Sequence, residues 1–484
     1  MYQVLIRFGL VGLLLMAFSV AFAATKPGAA SAVGAPAQRL YALFGSPQAQ
    51  GTHRGDASLD DELRTLLLAH NVSPIEVPPM PAPEKVELGR MLFFDKILSG
   101  NKDISCAGCH LMTERTGDGL PLSIGTGGKG TAPNRRLEKA KTFIPRHAPD
   151  IFNRGVDGWT TMLWDSRIAG TPETGIYIPE SPAPIDGLDS VLAAQVMSTV
   201  LNRGEMRGHM GDKDAVGESN ELALNPDGQP EKVWDDLMDR LLAIPEYERM
   251  FRRAYPGTHP DEMTFQYAAN AVAAFETAEF TMLDTPWDRY LAGDDRALSD
   301  AAKEGALLFY DDAGCASCHA GNLFTDQQTH NLAVPPIAVQ AADLSPVDLG
   351  RAAITGAEVD RYAFRTPPLR NVALTAPYMH NGAYATLEAA IRHHLDPAAA
   401  LRSYRKSQLR AELASKVRTD AQTAEALLAT LDRRVAEPLP LSDKEVGALV
   451  AFLHALSDPR AVKETSMAAI EPATVPSNIQ LSYE

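Results

Sequence analysis

Cysteine is scarce in this chain: there are four in 484 residues. All four fall in two pentapeptides, CAGCH from Cys106 to His110 and CASCH from Cys315 to His319. No thiol is therefore left for a disulfide or for completing a four-ligand thiolate zinc site. A positive charge balance is also missing, since 45 Lys and Arg face 61 Asp and Glu for a net charge of −16. That excludes a nucleic-acid-binding role and suits the steering of a basic redox partner. Apolar runs long enough to matter to a membrane are confined to the N-terminus. Strand signals are sparse, so the expected class is mostly α with long irregular loops.

The N-terminal run follows Arg7, extends from Phe8 to Val20, and ends in Ala21-Phe22-Ala23, a small-x-small cleavage site. It reads as a secretory signal over residues 1–23, with a periplasmic destination and no membrane anchor once it is removed. Export agrees with the pentapeptides, because each is a C-x-x-C-H, the attachment signature of a c-type haem. The thiols of Cys106, Cys109, Cys315 and Cys318 are expected to form thioethers, with His110 and His319 as iron ligands. The two histidines stand 209 positions apart, which suits one covalently attached haem per domain.

Residues 24–83 are rich in Ala, Pro and Gly and read as a linker with one helical packing patch, Leu59 to Ala69. A helix is predicted from about Glu84 through Leu92. Residues 113–136 are Gly-rich and loop-like. Thr264 to Phe280 reads as a helix with Ala268, Val272 and Phe275 on one face. Ser299 caps a helix that leads into the second pentapeptide. Ser442 and Glu445 form a capping box opening the helix Val446 to Leu456. The expected layout is a first haem domain over 84–290, a second over 291–460, and a tail over 461–484.

Three longer strings carry a resemblance: LGRMLFFDKILSGNKDISCAGCH, LWDSR and FRTPPLRNVALTAPYMHNG. They resemble the bacterial dihaem cytochrome c peroxidase family, including the MauG-type enzymes, over about Leu88 to Asp458. The resemblance implies two cytochrome c-like domains facing each other. The N-terminal haem would meet peroxide and the C-terminal haem would relay electrons.

The same resemblance assigns roles residue by residue. In the loop after the first motif, the family's resting peroxidases carry a His that blocks the iron. Here the stretch is SIGTGG, with Thr126 at that place, so the first haem is expected to be open without reductive activation. His147 is the alternative group that could fold over it. Glu205, in NRGEM, matches the family's distal-pocket Glu and would shuttle the peroxide proton. Gln195, ten residues upstream, matches its pocket Gln. Trp164 resembles the tryptophan lying between the haems, with Asp165 and Arg167 as a structural ion pair or backbone anchor. The sixth ligand of the second haem falls on His394 where the peroxidases carry Met, with His393 as the neighbouring alternative. Bis-imidazole ligation by His319 and His394 would lower that haem's potential.

The family also binds calcium between its domains. Its two carbonyl positions match Thr375 and Pro377, but its Asn is replaced by His147, and imidazole is a poor ligand for this cation. The leading functional reading is a periplasmic peroxidase that reduces hydrogen peroxide with electrons from a small cytochrome c or copper protein. The second is a MauG-type enzyme that oxidises Trp or Tyr of a partner protein. The third is a dihaem electron carrier without peroxide chemistry, against which Glu205 and Gln195 argue. A homodimer is compatible with the resemblance, and no interface is legible.

Overall fold

Helices and loops carry almost all of the chain in the computed structural model, which describes residues 58–138, 141–339 and 347–481. The signal sequence and the first part of the Ala/Pro/Gly-rich segment lie outside these described residues. Helix α1 (Leu59–Ala69) starts at a capping box between Ser58 and Asp61. Helix α2 (Pro83–Phe94) begins with a proline in its first turn, where the missing N–H costs nothing. Helix α3 (Val191–Thr199) is capped by Ser190 and α4 (Phe265–Phe280) follows Thr264. Helix α5 (Asp300–Tyr310) is capped by Ser299 and α6 (Leu387–Leu395) by Thr386. Helix α7 (Asp443–His454) opens at the expected Ser442–Glu445 box. Each side-chain cap contributes about 1 kcal/mol.

Two helix pairs support the two C-x-x-C-H turns in the same way. Helix α2 crosses α4 so closely that a Cβ on Gly89 would lie 1.8 Å from the Ala271 carbonyl oxygen. Helix α5 crosses α7 equally closely, with a Cβ on Gly305 falling 2.0 Å from the Ala448 oxygen. One turn beyond each glycine stands a phenylalanine, Phe93 or Phe309. Phe93 meets Phe275 and Phe309 meets Phe452, each at 5.2 Å between ring centroids. Both phenylalanines also lie 6.5 Å from the histidine of their own motif. One packing plan is therefore used twice.

The chain ends depart from the expected layout. Leu63 and Leu67 of α1 are buried against Trp287, Phe309 and Phe452, in the apolar cluster of the second motif. Lys303 of α5, itself buried, pairs with Asp60 at 2.7 Å. The segment after residue 461, expected as a tail, is packed as far as Leu481. Its Met467, Ile470, Val475 and Leu481 are buried in the cluster that holds Phe93 and Phe275. Ser477 Oγ donates to the buried Asp95 at 2.6 Å, and Arg90 Nε to the Ile470 carbonyl at 2.8 Å. The apolar spacing of that segment is enough to explain why it is not left in solvent. The N-terminal helix thus completes the second cluster, and the C-terminal segment completes the first.

Strand is limited to short pieces. The largest sheet is antiparallel, Thr161–Met162 with Ile168–Thr171 and that with Gly175–Tyr177. Its first connection carries Trp164. No described helix is long and apolar enough to cross a membrane.

Candidate active site

Both motif histidines are half-buried and oriented through the nitrogen that an iron would not use. His110 Nδ1 meets the Thr116 carbonyl at 2.9 Å, and His319 Nδ1 meets the Phe324 carbonyl at 3.0 Å. A carbonyl fixes Nδ1 as the protonated nitrogen and leaves each Nε2 as a lone pair. Burial pulls both imidazoles down to about 4, so both are neutral, the form a metal ligand needs. Burial also pushes the Cys106 and Cys315 thiols up to about 12. Neutral, half-buried thiols suit thioether formation with a porphyrin rather than a thiolate metal site. Arg154 and Arg365 each keep one buried guanidinium nitrogen without a hydrogen-bond partner. A cationic pair of this kind is what porphyrin carboxylates neutralise. On these observations the residues fit two haems.

Glu205 sits on a single π-type turn, Arg203–Arg207, a local geometry often found at functional sites. Asn202 builds that turn. Its Oδ1 accepts the N–H groups of Gly204 and Glu205 at 2.9 and 3.1 Å, and its Nδ2 donates to Glu205 Oε1 at 3.2 Å. Burial pushes the Glu205 carboxyl up to about 7, Arg167 opposing this, Glu180 adding to it and Arg146 opposing it. The Glu205 charge is also felt at Cys109, which puts the turn beside the first motif. Gln195 lies half-buried on α3, the helix that runs into the same turn.

Thr126 is tied down next to this turn. Its N–H donates to the Glu205 carbonyl at 2.9 Å, and its Oγ1 donates to Asp103 at 2.7 Å. Arg135, itself buried, donates to the carbonyls of Ile124, Gly125 and Gly130 and holds the whole loop. The hydroxyl is spent on a carboxylate. His147 Nδ1 meets the Leu120 carbonyl at 2.8 Å, which leaves its Nε2 a lone pair as in the motif histidines.

Trp164 is clamped from several directions. Its Nε1 donates to the His147 carbonyl at 2.8 Å, and its own carbonyl accepts the Arg365 N–H at 2.6 Å. Leu163 and Ser166 on either side adopt φ of +67° and +53°, a conformation that costs a non-glycine residue of order 1 kcal/mol or more. Arg365 Nε holds the Leu163 carbonyl, and Arg351 holds those of Asp165 and Ser166. Asp165 pairs with Arg167 and with Arg146, both at 2.6 Å, and Arg146 reaches on to Asp348 at 2.7 Å. Burial alone would raise Asp165, but the two arginines outweigh it and hold the carboxyl at about 2. The expected ion pair is thus one link of a buried chain that joins both halves of the sequence.

At the second motif the structure brings two imidazoles opposite one another, their planes tilted by 58°. The His319 and His394 ring centroids lie 6.4 Å apart. Two imidazoles sharing one metal, at about 2 Å per bond, place their centroids about 6 Å apart. His394 Nδ1 is occupied by the Ala390 carbonyl at 2.8 Å, again freeing Nε2. His393 points elsewhere, bonded to Tyr384 and to the Leu332 carbonyl.

The calcium positions come together but do not suit a cation. Thr375, Pro377 and His147 line a cleft of about 60 Å3 that also contains Arg154 and Arg365. Asp150 also lines the cleft, so two guanidinium groups face one carboxylate there, and burial, with Arg154 adding to it, pulls the Arg365 guanidinium down to about 9. Cys318, Asp326 and His330 cluster with metal-ligand spacing among the described residues. His330 is already bonded to Asp326 at 2.9 Å and Asp432 at 2.8 Å, and Cys318 belongs to its motif. Sequence reading missed Asn202, Asp103 and Arg146. Only Asn202 left a local signal, an Asn three residues before a Glu at the start of a turn.

Fold and site describe a mostly helical haem oxidoreductase with a protonatable carboxylate beside one of two histidine centres. Residues 83–296 match the family model for di-haem cytochrome c peroxidases. The methylamine utilization protein MauG of Methylorubrum extorquens is 31% identical over 318 residues, 65% of this chain and 69% of that protein. The cytochrome c551 peroxidase of Pseudomonas aeruginosa is 30% identical over 360 residues, 74% of this chain and 83% of that protein. Among solved structures, a MauG-like protein associated with microbial copper homeostasis superposes with a TM-score of 0.53 at 27% identity, covering 82% of this chain and 96% of its own. The diheme peroxidase BthA from Burkholderia thailandensis shares the fold at a TM-score of 0.54 and 20% identity, covering 85% and 94%. The chain belongs to the di-haem cytochrome c peroxidase family, an electron-transferring, haem-containing group of oxidoreductases.

Proposed function

We propose that the chain is a periplasmic peroxidase that reduces hydrogen peroxide to water with electrons from a small redox protein. In this reading two haems are held by thioethers at Cys106, Cys109, Cys315 and Cys318, one in each of the domains 84–290 and 291–460. Bound at His110, a haem would supply the iron chemistry for O–O cleavage. The observation that carries the reading is Glu205: a carboxyl poised at about 7, fixed by Asn202, beside the first motif. Such a group takes the proton from one peroxide oxygen and returns it to the other as water leaves. Gln195 orients the bound peroxide from α3. Thr126, spent on Asp103, leaves the first centre open in the fully oxidised protein. Trp164 carries electrons from the second centre, held in place by its bond to His147 and its strained, clamped backbone.

A second reading is a MauG-type enzyme that takes its electrons from Trp or Tyr of a partner protein. The 6.4 Å approach of His319 and His394 favours it, because bis-imidazole ligation lowers the relay potential. Mixing the oxidised holoprotein with peroxide in the presence of reduced cytochrome c separates the two. Rapid cytochrome oxidation is expected. Peroxide consumption without cytochrome oxidation transfers the assignment to the second reading, and inertness to peroxide overturns both.

A further inference from the structure

Beyond His394 a series of rings continues toward solvent. His393 is fully buried and makes two hydrogen bonds of opposite sense. Its Nε2 meets the Leu332 carbonyl at 2.7 Å, and a carbonyl can only accept, so Nε2 carries the proton. Nδ1 is then the lone-pair nitrogen, and the Tyr384 hydroxyl donates to it at 2.8 Å. Centroid distances run 6.3 Å from His394 to His393, 5.1 Å from His393 to Tyr384 and 5.5 Å from Tyr384 to Tyr404. Both tyrosines line an open cleft of about 610 Å3, together with Arg392, Asp396 and Arg405. That volume lies in the range that admits a small molecule or an inserted side chain.

A buried tyrosine usually finds some hydrogen-bond partner, and packing alone could account for this one. Packing does not account for the partner being the lone pair of an imidazole that leads, ring by ring, to His394. We propose that Tyr384 is a redox-active residue that passes single electrons from the cleft to the second centre, its phenolic proton resting on His393 in the interval. The inference rests on the peroxidase reading, since peroxide provides the oxidising equivalents. Reducing one peroxide to two waters takes two electrons and two protons. One of those electrons leaves the Tyr384 ring by way of His393 and His394. The Oη–H bond breaks as its proton moves to His393 Nδ1, while the other proton stays on Nε2 and is still donated to the Leu332 carbonyl. A neutral phenoxyl radical remains. One electron from the small redox protein of the peroxidase reading, docked at the cleft, fills it and the proton returns. A second round of the same steps supplies the second electron.

The test is electron paramagnetic resonance of the oxidised holoprotein, frozen after mixing with hydrogen peroxide and, separately, with the one-electron oxidant hexachloroiridate(IV). An organic radical is expected that narrows when the protein is made with ring-deuterated tyrosine. Tyr384→Phe keeps the ring and should cut the signal at least tenfold while leaving both haem absorption spectra unchanged. Tyr404→Phe leaves the Tyr384–His393 bond intact and should retain it. A signal that survives Tyr384→Phe at full size, or no tyrosine radical with either oxidant, overturns the proposal. If peroxide leaves the haem absorption untouched, it is the peroxidase reading that fails, and the iridate samples still decide for or against Tyr384.

Discussion

Around His110 and around His319 the chain builds the same support and then surrounds each histidine with different chemistry. The support is a glycine-tight helix crossing, a pair of phenylalanines 5.2 Å apart and a carbonyl on Nδ1. Near His110 the surroundings are a pocket carboxyl on an Asn-fastened turn and a threonine spent on Asp103. Near His319 they are a second imidazole and a file of aromatic rings. Identical scaffolding therefore does not dictate identical chemistry. In the proposed reading, what separates a centre that handles peroxide from one that handles electrons is which side chain a distant helix or turn delivers.

The sharpest way to break this contrast is Glu205→Gln. Loss of the proton shuttle should slow the reaction with peroxide by about 10²–10⁴-fold, read by stopped-flow absorption, with the spectrum of the second centre unchanged. The carboxylate form must accept the proton, so the wild-type rate should rise with pH through about 7 and level off above it. In the Gln variant that rise should be absent. A Gln variant as fast as the wild type would remove the chemical distinction between the two centres.

His394→Ala tests the other side. It should convert the second haem from low-spin to high-spin, seen in the absorption and electron paramagnetic resonance spectra, whereas His393→Gln should leave it low-spin. The reverse outcome would reassign the ligand. Trp164→Phe keeps an aromatic ring but loses the bond to the His147 carbonyl. It should slow electron delivery between the centres about tenfold and cost about 1 kcal/mol in denaturant unfolding.

Gly89→Ala and Gly305→Ala probe the shared support. Each added Cβ meets a backbone carbonyl, so each should destabilise by about 1–3 kcal/mol, and by similar amounts. A cost confined to one of them would show that the two crossings only look alike. The smallest effect is expected from calcium. With two guanidinium groups in the cleft beside Thr375 and Pro377, addition of calcium or of a chelator should leave the melting temperature and peroxide turnover unchanged within error.

Much of the scaffolding was legible in the sequence because it is written locally. The capping residues Ser299 and Ser442, the period of Ala268, Val272 and Phe275, and the two C-x-x-C-H strings act over a few positions. The contacts that crowd the cleft were not legible. Arg154 and Arg365 are more than two hundred residues apart, and only the folded chain brings their charges together. The link from Arg146 to Asp348 is hidden for the same reason. The family resemblance ranked His394 above His393, and in the structure one imidazole lies opposite His319 while the other is held by Tyr384.

The exchange of chain ends bears on how the molecule is made. Chains fold largely in the order in which they are synthesised. The helix carrying Leu63 and Leu67 is among the first described parts to emerge, yet it must wait for Trp287, Phe309 and Phe452. The core around Phe93 and Phe275 cannot close until Met467, Ile470, Val475 and Leu481 arrive. A fragment ending near residue 290 would lack those four side chains, and a fragment beginning there would lack the two leucines. The centre that is synthesised first is the one completed last.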